Sequence, residues 1–320
     1  SCVLVLRVDG AGEAHVRVSY LVPCAVWRPA YRATLASGQV TLEAEGVVWQ
    51  RTGEDWDDVE LRFSTARPTL GTTPPTLEDD VLHLRLKLAQ EKHTVDVTLR
   101  EEAIQSAGEA SGELPGLDDG GEARLLTAPA RTSVKSDGQP QRVGLFSFTA
   151  PATVERICPA ELSSLVYVIA RFTAGQLLLA GPVDLLRDSG LVGRGQLRFA
   201  AAGETVKLSF GNEDGLQVVR ESDEKVEEAM LTGRRTTTRR VKLHVSNTRP
   251  EATRLIVEER VPVSEVKEVE VQVLTRDCAP APSTVTREGI ARIELELAAQ
   301  STKTARFSWE LSAAAKVSGV

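Results

Sequence analysis

The sequence predicts an all-β protein of antiparallel β-sandwich architecture. Three observations carry that expectation: apolar side chains recur at every second residue in run after run, Gly, Ser and Asp punctuate those runs, and hardly any stretch sustains a helical period. Successive side chains of a strand point to opposite faces, so a period of two marks a half-buried strand, whereas a helix repeats at about 3.6.

The first run, CVLVLRVDGAGEAHVRVSYLV (2–22), alternates Val3, Val5, Val16, Val18 and Tyr20 about a DGAGE turn and predicts a hairpin. ATLASGQVTLEAEGVVWQ (33–50) predicts another, with Ser37 and Gly38 at its turn, and VELRFSTA (59–66) continues with Val59, Leu61 and Phe63 on one face. Runs of the same kind lie at 142–150, 164–172, 195–200, 204–210, 216–221, 240–247, 253–261, 266–274, 291–297 and 304–311. Strands at this spacing, with turn residues between them, are the pattern of a sandwich.

Two stretches interrupt the rhythm. Residues 102–124 are rich in Gly, Ser and acid and poor in aromatic and β-branched side chains, a composition that does not offset the entropy of ordering, so a mobile excursion is expected there. Residues 221–240, ESDEKVEEAMLTGRRTTTRR, run from acidic to basic through Gly233 and suit either a protruding ribbon or a short helix followed by a strand. This stretch is also the expected domain boundary. It separates a larger β domain (1–230) from an immunoglobulin-like β-sandwich (231–320), although the Cys and Trp spacing of true immunoglobulin domains is missing.

Composition narrows the function classes. A net charge of −7 argues against a nucleic-acid binder, which needs a surplus of Lys and Arg. No apolar run approaches the roughly 18 residues of a membrane span. Cys2, Cys24, Cys158 and Cys278 lack the short spacing of a zinc site, so they are expected to be four thiols that pack as small apolar groups. The chain opens on Ser1 and its single Met is Met230, so the native start is expected upstream, and cytoplasm and periplasm both stay open as locations.

Several phrases stand in one order: YLVPCAVWRPAYRATL (20–35), WQRTGEDWDDVELRFSTARP (49–68), VKSDGQPQRV (134–143), GPVDLLRDSGLVGRGQL (181–197) and VSNTRPEATRLIVEERVPVSEVKEVEVQVL (245–274). Together they resemble the DUF4139 family, the C-terminal domain of proteins often named mucoidy inhibitor A. The resemblance covers nearly the whole chain, and TGEDW followed by STA-x-P is its most specific piece. It implies an upstream β domain and a long helical segment, a Gly at the position of Cys24, and a tie to exopolysaccharide overproduction or the cell envelope. It carries over no catalytic residue.

Glu54, Asp55, Asp57, Asp58 and Glu60 crowd five carboxylates into seven residues, a density that suits Ca²⁺ binding or paired acid and base roles. The favoured reading is the turn of a β-hairpin, a polar connection from Thr52 through Gly53 to Asp58 with Trp56 folded back onto the apolar face, because Trp56 interrupts the acids and no calcium-loop Gly follows. Trp27 and Tyr31 in VWRPAY are expected in the core, with stacking on a sugar as the alternative. His15, His83, His93 and His244 specify no metal site, no GxSxG elbow occurs, and GLVGRG (190–195) reads as hairpin punctuation. Arg234, Arg235, Arg239 and Arg240 are expected to pair partly with the preceding acids, and TTTRR to form an exposed edge. The expected function is a non-enzymatic interaction or scaffolding module that needs no cofactor and has a protein partner or self-association, polysaccharide also being open. The alternative is a metal-dependent hydrolase or carbohydrate-binding protein built on the 54–60 turn and its aromatics.

Overall fold

A tight turn at Ser37 and Gly38 sets the first register. Both residues take positive φ, +49° and +73°, as a primed two-residue turn requires. The turn joins β1 (Ala25–Ala36) to β2 (Gln39–Gln50) through twelve antiparallel pairs. The computed structural model describes residues 5, 7, 9, 13, 15–66, 122–188, 190–315 and 317. The expected excursion at 102–121, His83 and His93 fall outside these residues.

The strands continue with β3 (Trp56–Val59), β4 (Arg62–Ser64), β5 (Leu125–Thr127), β6 (Thr132–Val134), β7 (Gln141–Pro159), β8 (Leu165–Thr173), β9 (Gly181–Arg187) and β10 (Gly190–Leu197). Beyond them lie β11 (Thr205–Glu228), β12 (Arg235–Asn247), β13 (Thr253–Arg260), β14 (Val269–Val273), β15 (Thr284–Val285), β16 (Ile290–Leu297) and β17 (Ser301–Ala313). Among the described residues the only helical element is a 3₁₀ turn at Thr275–Asp277. The protein is all-β.

One path of hydrogen-bonded strands, β10-β9-β1-β2-β7-β8-β11-β12-β17-β14, runs through the molecule. β13 pairs with β7 and β16, β15 with β16, and two small sheets, β3–β6 and β4–β5, stand apart. Among the described residues two pairings are parallel, β1 with β9 and β7 with β13, so the expected antiparallel sheets are mixed at those joins. The physical reason is connectivity: a strand that returns after a long crossover can lie parallel, which a hairpin cannot.

The alternation sorts side chains into two large apolar clusters. The first gathers Tyr31 and Ala33 of β1, Leu42 of β2, Val143 of β7, Phe172 of β8, Val183 of β9 and Phe210 of β11. The second gathers Leu243 of β12, Leu255 and Val257 of β13, Ile293 and Leu295 of β16 and Phe307 of β17. It also takes Cys158, Val166, Leu216 and Val218 from β7, β8 and β11, strands that already served the first cluster. β7 changes partner from β2 to β8 after Pro151, a residue without the N–H that an uninterrupted ladder uses. β11 changes cluster between Phe210 and Leu216, across an irregularity that holds Gly211 at φ +79°.

Two local expectations are corrected. Residues 15–22 form no strand, and Val16, Val18 and Tyr20 are exposed. Alternation there has no sheet to pack on, and an isolated hairpin is marginal in water. Leu61 and Phe63 do pack on the first cluster, but the run is broken: Val59 ends β3, Leu61 lies between the strands and Phe63 sits in β4, because β3 pairs with β6 and β4 with β5.

Candidate functional site

The acidic turn is organised from below by Gln50, a side chain that sequence reasoning passed over. Gln50 is 1% exposed. Its Nε2 donates to the carbonyls of Glu54 (2.9 Å) and Val134 (3.0 Å), and its Oε1 accepts from the Thr52 N–H (3.1 Å) and hydroxyl (2.8 Å). Gly53, at φ +91°, presents its N–H to Ser136 Oγ at 2.8 Å. The only signal in the sequence is a Gln at a strand end before TG, which is too common to single out. Asn247 plays the same role in the second half: it is buried, and its Nδ2 donates to the carbonyls of Glu251 (2.9 Å) and Ala298 (2.8 Å).

On this frame the carboxylates diverge. Glu54 accepts from the Tyr20 hydroxyl at 2.8 Å, Asp55 from the Ser136 N–H at 2.8 Å, and Asp58 from Arg131 Nε at 3.0 Å, while Glu60 pairs with Arg62 at 2.7 Å. Asp57 is exposed. A bound ion needs several oxygens aimed at one point, and here Glu54, Asp55, Asp58 and Glu60 are each turned to a different partner. Among the described residues no group of three or more His, Cys, Asp and Glu is placed to hold a metal.

The neighbouring aromatics face inward. Trp56 is half-buried against the first cluster, Tyr31 is 2% exposed and donates its hydroxyl to the Leu179 carbonyl at 2.9 Å, and Trp27 donates to the Ser64 carbonyl at 2.9 Å. The Trp27 ring lies 5.0 Å from that of Phe63, tilted by 53°. The Trp27 and Phe63 rings thus join β1 to β4. Residues 190–195 lie in β10, with Gly190 at the turn from β9 (φ +111°), so no helix N-terminus follows them. His244 sits in β12 beside Glu221 (3.6 Å), and His15 is exposed.

The stretch 221–240 is a ribbon: β11 and β12 pair without interruption from Leu216↔Asn247 to Glu228↔Arg235. Arg239 donates to Glu224 at 2.6 Å and lies 5.5 Å from the centre of the Trp309 ring, and Arg234 reaches Glu270 at 3.9 Å. Arg235 and Arg240 lie opposite Glu228 and Asp223 in the register. The expectation that TTTRR forms an edge is corrected, because β17 covers β12 from Asn247 to Arg235. Among the described residues the open edge beside this ribbon belongs to β11 instead. On the outer face of β11, β12 and β17, Glu221, Asp223, Arg240, Lys242, Arg276 and Arg306 line a shallow cleft of about 650 Å³. At the ribbon's tip, Met230 and Leu231 are fully exposed.

The described Cys24, Cys158 and Cys278 are free thiols. Burial, with the charge of Glu259 beside it, pushes the Cys158 thiol up to about 12, so that side chain is an inert packing group. The model of a family described as a domain of unknown function, DUF4139, matches residues 16–315. No curated protein matches the chain.

Proposed function

The chain belongs to the DUF4139 family, and on that basis we propose that it is a non-enzymatic, all-β interaction or scaffolding module. The setting suggested by its phrases is cell-envelope or exopolysaccharide regulation. The observation that carries this reading is the tip of the β11–β12 ribbon. Met230 and Leu231 stand wholly in solvent there, while β12, the strand that leaves the tip, is held in place along its full length by β17. Burying two such side chains in a partner is worth about 1.5–3 kcal/mol each, and a pre-ordered ribbon loses little entropy on docking. The divergence of the 54–60 carboxylates supports the same reading, because a shared acid and base function needs them together.

The test compares the chain with its Met230→Ser/Leu231→Ser variant by light scattering and by photo-cross-linking from a probe at Thr232. The wild-type chain should form a defined complex, with itself or with a partner, that the variant weakens at least about tenfold. A wild-type chain that cross-links to nothing, or a variant that assembles equally well, overturns the proposal.

A further inference from the structure

Among the described residues β11 keeps a long unpaired edge next to the exposed ribbon tip. Its pairing with β8 ends at Gln217↔Leu165, whereas its pairing with β12 runs on to Glu228↔Arg235. From Val218 to Glu228 one side of the strand therefore has no neighbouring strand among the described residues. The strands at the ends of the main path are shorter, eight residues for β10 and five for β14. β11 is also backed by β12, which is paired in turn with β17. Such an edge is a ready template for an added strand.

The edge carries a strong charge. Glu221, Asp223, Glu224, Glu227 and Glu228, all exposed, stand against two cations, the exposed Lys225 and Arg220, which is already engaged by Glu259. Glu224 is engaged by Arg239 and Glu227 by Lys225, while Asp223 and Glu228 have no cation within ion-pair distance among the described residues. Two copies joined edge to edge would set acid against acid, which is destabilising directly across a ladder. The same acids attract a strand of opposite sign. Apolar side chains bracket the stretch, with Leu165 (47% exposed) and Val219 (58%) at its root and Val226 (46%) toward the tip.

We propose that the β11 edge from Val218 to Glu228 binds an extended segment rich in Lys and Arg from a partner protein, which adds to the sheet as one further strand. This deepens the interaction reading above by naming the partner's chemistry. At about 3.3 Å per residue the docked segment is about eleven residues long. Its cations meet Asp223 and Glu228, its apolar side chains meet Val219 and Val226, and its backbone completes the ladder.

The probe is a fluorescent peptide of about twelve residues built from Lys, Thr and Val, offered to the whole chain and read by anisotropy and by amide hydrogen exchange. The control is the same peptide N-methylated at alternate residues, which keeps the charge and removes the donors of one edge. The protein variant is Glu221→Lys/Asp223→Lys/Glu228→Lys, whose fold is checked by its melting profile. The unmodified peptide should bind at least about tenfold more tightly than the methylated one, lose about as much on the variant, and slow exchange over 218–228. Equal binding of the two peptides, which would show charge attraction alone, overturns the proposal, and so does protection confined to other strands. If the peptide fails while the wild-type chain still assembles through Met230 and Leu231, the edge inference falls and the interaction reading stands. If the peptide docks on the edge while the tip variant assembles normally, the opposite holds.

Discussion

Cys24 occupies a backbone position that suits Gly. Its φ is +71°, in the left-handed region that costs an L-residue with a Cβ about 1–2 kcal/mol, and its carbonyl accepts the Arg51 N–H at 2.9 Å. The family phrase implied a Gly at this position, and the structure retains the conformation that Gly would adopt freely. The side chain is exposed, so its removal loses no packing. Cys24→Gly should therefore raise stability by about 0.5–1 kcal/mol, strain relief outweighing the extra freedom of the unfolded chain, while Cys24→Ala should leave it unchanged. Urea unfolding of the two variants checks the difference. At this scale the turn chemistry was legible: Ser37–Gly38 and Gly53 sit where their residue types placed them. Gln50 was not, because a buried amide acquires its role from carbonyls such as that of Val134, 84 residues away.

At the scale of elements, β11 and β13 are joined by an ion pair between Arg220 and Glu259. Arg220 Nε lies 2.8 Å and 3.2 Å from the two Glu259 oxygens, and Nη2 lies 3.0 Å from Oε2. Glu259 is 2% exposed, and burial pushes its carboxyl above the usual range against the pull of Arg220. Removing one partner strands a buried charge, so Glu259→Ala should cost about 3–5 kcal/mol, and Arg220→Met with Glu259→Leu together should cost much less. In Arg220→Met alone, Glu259 is raised further. Its folded form then holds a proton that the unfolded chain releases, so stability should fall as pH climbs through and above the normal carboxylate range and recover on acidification. Guanidinium unfolding at several pH values reads this out. Strand rhythm was legible at this scale, from 142–150 to 304–311, because burial on one face imposes the period. Neighbours were not: TTTRR has the composition of an edge, yet it lies between two strands.

For the whole molecule, the consequence of the strand path is cooperativity. β7, β8 and β11 each contribute to both apolar clusters, and ion pairs such as Glu155–Arg292 (3.0 Å) reach from β7 to β16. Leu42→Ala in the first cluster and Leu295→Ala in the second should each cost about 2–5 kcal/mol and lower the same single calorimetric transition. Two separated transitions would show instead that the clusters melt independently. The sequence alone determined the all-β class, most of the strands, the turns and the family, since period-two burial and turn residues act within a few positions along the chain. Only the tertiary structure decided which strands became neighbours, that pairings such as β1 with β9 run parallel, that four of the five crowded carboxylates take separate partners, and that the open edge of β11 is acidic. Those outcomes depend on contacts between residues far apart in the chain, and local side-chain chemistry does not encode them.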